Sequence, residues 1–242
     1  MNYSEDDHAV WRTLFERQMT LLPGRAATDF LEGGKKLGFG PEAVPDFEDV
    51  NRRLAPLTGW QITRVPGIVA NDVFFGLLAE KKFPVTGWIR SRDRLDYLEE
   101  PDIFHDMFGH VPLLSDPSYT AFLEALGRLA VARIDDECAV ECLARVYWYS
   151  IEFGLMAESG GMRIYGSGIL SSPGETRFCL TGAAPKLPFD LSVIFRTPYV
   201  KDRFQDRYFV IQSLGELYRT AEILPDALNL ELQSDYWRTV TA

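Results

Sequence analysis

The sequence is poor in histidine. Only three histidines occur in 242 residues, and two of them, His105 and His110, stand five positions apart in the segment PDIFHDMFGH. Imidazole is the side chain most often used to bind metals and to move protons near neutral pH. The concentration of two out of three histidines in one short segment therefore favours a chemical role for the pair. The alternative is two structural histidines near a helix end.

Cysteine and long apolar runs are also scarce. Three cysteines are present, Cys138, Cys142 and Cys179, and this odd number argues against a disulfide framework or a zinc ribbon. No apolar run reaches the roughly 18 residues that a membrane span needs, and the acidic N-terminus is not followed by a signal core. We therefore expect a cytoplasmic protein with no membrane partner.

Basic residues are outnumbered. The chain has 25 Lys and Arg against 35 Asp and Glu, a formal net charge of -10, which opposes binding to nucleic acid or to an anionic membrane. Hydrophobic residues make up 46% of the chain, and no linker rich in Ser, Gly or Pro divides it. The sequence predicts one domain over 1–242 and a small-molecule substrate.

Helical periodicity dominates the hydrophobic pattern. Helices are predicted at 9–22, 28–37, 46–54, 72–81, 103–109, 117–133, 136–156 and 213–224. Short strands are predicted at 60–65, 84–89, 162–165, 178–180 and 208–211, where Gly and Pro bound the extended segments. The expected fold class is mainly α with small β elements.

Two imidazoles and one carboxylate form the facial triad of non-haem iron(II) sites. If the histidine pair binds such a metal, a carboxylate elsewhere in the chain should complete the site. Glu152 is the strongest candidate, since it lies in the aromatic and apolar run YWYSIEFG with no basic neighbour, and buried carboxylates are rare unless paired or metal-bound. Positions five apart lie roughly 140° apart on an α-helix. We therefore expect the helix to end or distort near Gly109 and Pro112, so that His110 swings toward His105.

Two further segments suit a pocket beside such a metal. The long predicted helix would hold Tyr147, Trp148 and Phe153 next to Glu152, and positions 148 and 152 would share one helix face. The loop 164–175 is rich in Gly and Ser but lacks the patterns of a phosphate loop or a dinucleotide fold. It is interpreted as a pocket lid or as a loop supporting the metal ligands, with a plain surface turn as the alternative.

Three ordered motifs, PDIFHDMFGHVPLL, YWYSIEFG and YGSGILSS, resemble those of the pterin-dependent aromatic amino acid hydroxylases, most closely the bacterial phenylalanine 4-hydroxylases. The likeness extends to HAVWRTL, LPGR, PLTGWQ and FPVT in the same order, across most of the chain. The resemblance implies a single catalytic domain with His105, His110 and Glu152 as ligands of Fe(II). It also implies a tetrahydropterin cofactor and O₂ as co-substrate.

The resemblance also assigns the other site residues. The pterin would contact Gly67, Val69 and Phe74, with Asp106 and Tyr147 near its other side. The carboxylate of an aromatic amino acid would bind Arg90, whose planar fork suits it, and Asp102 would orient that arginine. Trp148 and Phe153 would wall the side-chain pocket, with Gly168 nearby. Ser171 would hydrogen-bond His105 and fix its ring. Without the resemblance, Arg90 would pass for a surface charge and Phe74 for a core residue.

Two departures from the family pattern leave the substrate open. Lys201 falls where phenylalanine-specific relatives carry an aliphatic residue, and Gly87 falls where bacterial relatives often carry an aromatic one. Lys201 could favour a polar ring substituent, or its stem could line the pocket while its ammonium reaches water. L-Phenylalanine is the expected substrate because of Trp148. Tryptophan, tyrosine or another ring position remains an alternative.

Two other classes of function are compatible with the same residues. One is a zinc hydrolase, although the segment between the histidines lacks a second acid placed as general base. The other is a non-catalytic binding module that keeps the fold. Vertebrate relatives carry a regulatory domain and a tetramerising helix, for which 242 residues leave no room, so a monomer without such regulation is expected.

Overall fold

The computed structural model describes residues 3–96, 98 and 100–240. The helices are α1 Glu5–Leu21, α2 Thr28–Leu37, α3 Phe47–Thr58, α4 Asn71–Ala79, α5 Pro117–Ala132, α6 Glu137–Tyr147, α7 Ser167–Leu170, α8 Pro173–Phe178, α9 Leu191–Phe195, α10 Leu214–Leu232 and α11 Asp235–Val240. Two segments, Phe104–His110 and Trp148–Glu152, are π-helices, and Arg92–Arg94 and Val111–Ser115 are 3₁₀-helices. The mainly α fold class is confirmed. Within this part of the chain, no helix combines the length and apolarity that crossing a bilayer requires.

The strands form two small sheets. They are β1 Gln61–Val65, β2 Lys82–Thr86, β3 Leu155–Glu158, β4 Gly161–Ile164, β5 Lys186–Pro188 and β6 Tyr208–Ile211. β1 pairs in parallel with β2. The other four are ordered β4-β3-β6-β5, with β3 and β4 antiparallel and β6 parallel to both β3 and β5. The second sheet joins the segment after Glu152 to the C-terminal half of the chain.

Side-chain caps fix several helix starts. Ser4 and Asp7 form a reciprocal capping box at α1, and the carboxylates of Asp116 and Asp136 accept backbone N–H groups at the starts of α5 and α6. Such caps satisfy donors that have no partner inside the helix. These starts are therefore determined locally, which is why the predicted starts at 117 and 136 agree with the structure to within one residue.

Three predicted elements differ from the structure. The strand at 178–180 is wrong, because Phe178 ends α8 and a turn follows. The helix at 136–156 is too long, because β3 begins at Leu155. A Cβ at Gly154 would overlap the ring of Tyr165, so this close approach requires glycine where the helix gives way to the strand. The helix at 213–224 is too short, because burial of Leu224 and Leu228 carries α10 through Pro225.

The core places the histidine segment. Phe104 and Phe108, on the first π-helix, stack with ring centroids 4.8 Å apart, and Trp11 of α1 meets Phe104 edge-on at 5.4 Å. All three side chains are buried. One face of the π-helix is thus fixed against the core by aromatic packing, and the histidines lie outside this aromatic contact.

Candidate active site

The two histidines and Glu152 converge. Nε2 of His105 and Nε2 of His110 are 3.2 Å apart. The Glu152 carboxylate lies 3.2 Å from His110 Nε2 through one oxygen and 3.6 Å from His105 Nε2 through the other. One ligand atom from each residue falls within 4.8 Å of the others. This is the single such cluster found among the described residues, and it is the set that the sequence predicts.

Winding of the first π-helix explains how histidines five apart can meet. In a π-helix the backbone hydrogen bonds join residues five apart, so His105 and His110 stand about one turn from each other. The predicted departure from a regular α-helix is confirmed, but it covers the whole of Phe104–His110 rather than the region of Gly109 and Pro112 alone. Gly109 has a packing role instead, because its Cβ position lies 3.0 Å from the carbonyl oxygen of Ser167.

Glu152 ends the second π-helix. Because residues five apart align there too, the side chain one turn before Glu152 is Tyr147, rather than Trp148 as the α-helical pattern predicts. Tyr147 is buried and its ring stands edge-on to that of Phe74, with centroids 5.1 Å apart. The π-helix therefore presents Tyr147 and Glu152 together and leaves Trp148 free for another contact.

Two serines of the loop 164–175 contact the side chains of His105, His110 and Glu152. Ser171 Oγ donates to the Ser167 carbonyl at 2.8 Å and lies 2.9 Å from Nδ1 of His105. Since the hydroxyl proton is used on the carbonyl, Ser171 accepts from Nδ1–H, which leaves Nε2 of His105 as a lone-pair donor. Ser167 Oγ lies 2.8 Å from the Glu152 carboxylate and 2.9 Å from His110 Nε2. Ser171 was predicted, whereas Ser167 was missed although its loop was recognised.

The charge states suit a cation. Burial lowers the pKa of His105 to about 4, and this outweighs the opposing effect of the nearby Glu152 carboxylate. Burial would raise the pKa of Glu152, but the two imidazoles and Ser167 outweigh it and lower that pKa to about 2. At neutral pH the site thus offers a neutral His105 and an ionised carboxylate. Two imidazoles and one carboxylate are a donor set that divalent iron accepts, so the residues fit this metal.

Arg90 and Asp102 form a buried pair beside the histidines. Nε and Nη2 of Arg90 each donate to the Asp102 carboxylate at 2.8 Å, and the side chains are 8% and 0% exposed. Asp102 also accepts the backbone N–H of His105 at 3.1 Å. One edge of the guanidinium is therefore occupied, and Nη1 donates one N–H to the Leu95 carbonyl at 3.3 Å, so that one N–H on each of Nη1 and Nη2 is left for another acceptor. The predicted orienting contact of Asp102 is present.

Aromatic side chains build a wall near Glu152. The indole of Trp148 stacks on Tyr199 at 4.5 Å and lies 4.8 Å from the ring of Phe153, while a Cβ at Gly168 would come within 2.8 Å of the Phe153 ring. The indole N–H of Trp148 donates to Gln205. Tyr199 and Gln205 were missed, because they lie some fifty residues further along the chain and no motif marks them.

Lys201 is exposed. Its ammonium lies 5.6 Å from the centroid of the Tyr199 ring, so Tyr199, rather than Lys201, contacts Trp148. Gly87 is half-buried; its carbonyl accepts from the Tyr3 hydroxyl at 3.1 Å, and its Cβ position lies 3.0 Å from the guanidinium of Arg64. An aromatic side chain at 87 would have to displace Arg64.

The residues assigned to the pterin lie on α4, on α6, on the first π-helix and in the loop between β1 and α4. Phe74 of α4 and Tyr147 are in ring contact, and Gly67 and Val69 are half-buried in the loop between β1 and α4. Asp106 is buried, accepts the Thr86 N–H at 2.7 Å, and has its pKa raised to about 7 by burial. A flat heterocycle could stack against an aromatic ring in this region.

The arrangement of His105, His110 and Glu152 matches the donor set of mononuclear non-haem iron centres, and sequence similarity identifies the family. A model of the biopterin-dependent aromatic amino acid hydroxylases matches residues 1–236. The chain belongs to the family of biopterin-dependent aromatic amino acid hydroxylases.

Individual relatives agree with this assignment. The phenylalanine-4-hydroxylase of Chromobacterium violaceum is 50% identical over 232 residues, which cover 96% of this chain and 77% of that protein. That of Pseudomonas aeruginosa is 43% identical, over 92% and 84%. A crystal structure of the C. violaceum phenylalanine hydroxylase with bound iron(III) and 7,8-dihydrobiopterin is similar with a TM-score of 0.89 at 50% identity, covering 96% of this chain and 83% of that one.

Proposed function

We propose that this protein is an iron(II)- and tetrahydropterin-dependent monooxygenase that converts L-phenylalanine to L-tyrosine. The observation that carries the proposal is the junction at Asp102, which holds Arg90 on one side and the backbone of His105 on the other. A carboxylate anchor and a metal ligand are thereby fixed to each other. Such rigid placement of substrate beside the reacting centre is a main source of rate acceleration.

Each side chain of the site has a task in this reaction. The Nη1 edge of Arg90 would bind the amino acid carboxylate, while Trp148 and Phe153 hold the ring, with Gly168 leaving room beside them. Ser171 keeps His105 in the tautomer that donates through Nε2. When bound, iron and tetrahydropterin supply the activation of O₂ and the electrons for hydroxylation. His110 is buried and the side chains of His105 and Glu152 are only 18% and 14% exposed, which limits the access of bulk water.

The pterin site is proposed beside Phe74 and Tyr147. Their rings offer stacking surface and the backbone at Gly67 and Val69 offers hydrogen-bonding groups, while Asp106 lies on the side of the histidine segment. The resemblance to the family assigns these positions. The ring contact between Phe74 and Tyr147 supports them.

Phenylalanine is favoured over tryptophan and tyrosine by the names of the relatives and by the packed wall of Trp148, Tyr199 and Phe153. Lys201, although assigned to the substrate pocket from the sequence, would act there only indirectly through Tyr199. Another aromatic amino acid or ring position is the second candidate, and the departure at Gly87 favours it.

The deciding experiment loads the protein with iron(II) without oxygen, then adds tetrahydropterin, O₂ and each aromatic amino acid in turn, and identifies products by mass and ring position. We expect tyrosine from phenylalanine. Glu152→Ala should abolish it, and Glu222→Ala, at an exposed position of α10, should not. Absence of amino-acid-dependent oxygen uptake with all of them would refute the proposal.

Two further outcomes would favour the other classes of function. Activation by zinc, or turnover without oxygen, would support a hydrolase. A binding module would be supported if His110→Ala left the biological role of the protein intact. Both outcomes contradict the proposed hydroxylase.

We further propose that residues 1–242 act as one catalytic domain, as a monomer in the cytoplasm. The continuous family match over 1–236 supports a single domain, and a net charge of -10 disfavours self-association. Three free cysteines, two of them buried, suit a reducing compartment. Cell fractionation tests the last point.

A further inference from the structure

Gln205 is a buried residue whose side-chain amide has a hydrogen-bond partner on both its oxygen and its nitrogen. Its Oε1 accepts the indole N–H of Trp148 at 2.9 Å, its Nε2 donates to the Val200 carbonyl at 2.9 Å, and its backbone N–H donates to the Glu175 carboxylate at 3.1 Å. The side chain is 2% exposed. Because an indole only donates and a carbonyl only accepts, the orientation of the amide is determined by its partners.

The Glu175 carboxylate fixes the backbone of Gln205 through the hydrogen bond from its N–H. The hydroxyl of Tyr208, on β6, donates to the same Glu175 oxygen that accepts from Gln205. Glu175 is 5% exposed and takes part in none of the salt bridges formed by the described residues. It lies on α8, four residues after Ser171, which bonds His105. A buried carboxyl held by neutral donors is costly to keep, which points to a role beyond filling space.

The side-chain amide of Gln205 hydrogen-bonds to both segments that form the aromatic wall of Trp148 and Tyr199. Through Oε1 it fixes the indole of Trp148, which follows α6, and through Nε2 it fixes Val200, the neighbour of Tyr199. Tyr199 is the ring that stacks on Trp148 at 4.5 Å. Loss of the amide would leave a buried indole N–H and a carbonyl without partners, and both would move to regain them.

We propose that Gln205 is a positioning residue that holds Trp148 and Tyr199 together, sets the width of the substrate pocket and thereby favours a one-ring amino acid over an indole. This inference deepens the proposed function and rests on it. It concerns residues that contact one another rather than the metal. It can therefore be tested both with and without turnover.

The kinetic test uses Gln205→Met, which keeps the length and the backbone N–H but removes both side-chain hydrogen bonds. We expect KM for phenylalanine to rise about tenfold with kcat changed much less, and the preference for phenylalanine over tryptophan to fall. Gln212→Met, the same change at an exposed position after β6, should match the parent. Unchanged KM and preference in a folded Gln205→Met protein would overturn the proposal.

A double-mutant cycle with Trp148→Phe tests the connection itself. Phenylalanine at 148 keeps a ring to stack on Tyr199 but has no N–H to donate. If Gln205 acts through that N–H, Gln205→Met should add little to the loss of preference already caused by Trp148→Phe. Fully additive effects would refute a role through Trp148.

A measurement on the parent protein covers the case in which the variants fold poorly. With uniform ¹³C and ¹⁵N labelling the five indoles give separate N–H signals, and the signal of Trp148 is assigned in the parent protein through its backbone resonances. We expect it to exchange with solvent far more slowly than the signal of Trp88, which is 37% exposed. Equal rates would overturn the proposal. Absence of hydroxylation by the parent would instead refute the proposed function, and this measurement would still stand.

Discussion

At the scale of single residues, the hydroxyl of Ser171 orients one of the three side chains of the proposed metal site. Ser171 accepts the Nδ1–H of His105 at 2.9 Å and so selects the tautomer in which Nε2, 3.6 Å from Glu152, carries the lone pair. Groups that orient a metal-binding histidine in this way fix its tautomer and ring orientation and contribute to the affinity for the metal.

Ser171→Ala should therefore weaken iron binding about 10- to 100-fold without unfolding the protein, because it deletes one oxygen and leaves the histidine free to change tautomer. Anaerobic iron(II) titration gives the affinity. Ser159→Ala, at an exposed serine between β3 and β4, serves as control. Equal affinities in all three proteins would contradict this role.

Asp102 should make stability depend on pH. Burial opposes its ionisation, but hydrogen bonds and charge from Arg90 prevail and hold the pKa of Asp102 below its ordinary value. The resulting stabilisation is complete above the unfolded-state pKa, roughly 3.9, and is lost as the pH falls through the lower folded-state pKa.

Asp102→Asn should lower the free energy of unfolding at neutral pH by about 3–5 kcal/mol, because Arg90 is left buried without its counter-charge. It should also flatten the acid side of the stability curve. Urea unfolding at a series of pH values measures both, with Asp226→Asn, at an exposed position, as control. Parallel curves for parent and Asp102→Asn would show that the pair does not contribute in this way.

Lys201→Val should change the preference between phenylalanine and tryptophan by less than about twofold, since an exposed ammonium places its charge in water rather than in the pocket. The ammonium of Lys201 lies near the ring of Tyr199, so the side chain can act on Trp148 only through that ring. Competition between the two amino acids measures it, with Gln205→Met as the variant expected to change the ratio. A large change for Lys201→Val would restore the direct role that the sequence suggested.

At the scale of elements, the two π-helices and the close contact of α4 with α5 shape the site. The π-helices align His105 with His110 and Tyr147 with Glu152. α4, which carries Phe74, approaches α5 at Gly127, whose Cβ position is only 2.6 Å from the backbone nitrogen of Ala79. The contacted atom belongs to the helix backbone, which cannot move aside as a flexible side chain could.

Gly127→Ala should therefore destabilise the protein by about 1–3 kcal/mol. Gly76→Ala makes the matched control, because Gly76 lies on the same helix pair with no atom within 4 Å of its Cβ position, and alanine there should stabilise by about 0.5–1 kcal/mol. Thermal unfolding measures both. The same sign for the two changes would contradict the close-packing argument.

At the scale of the whole molecule, one hydrophobic core extends from α1 to α11, and the net charge is -10. A protein with this charge should remain a monomer in solution. Light scattering after size exclusion should give a mass near 27.5 kDa at 0.15 M salt. A concentration-dependent mass of twice that value would contradict the monomer.

The sequence by itself determined the helical class and the family, and it pointed to the three side chains that converge, His105, His110 and Glu152, because periodicity, helix caps and ordered motifs are local properties of the chain. It did not give the strand at Leu155, the length of α10 past Pro225 or the turn at 178–180, since packing against distant segments outweighs local preference there. Only the tertiary structure showed that the winding of two π-helices brings His105, His110 and Glu152 together. It likewise brought Tyr199 and Gln205 to Trp148, because contacts between residues fifty positions apart depend on the path of the folded backbone and leave no pattern in the sequence.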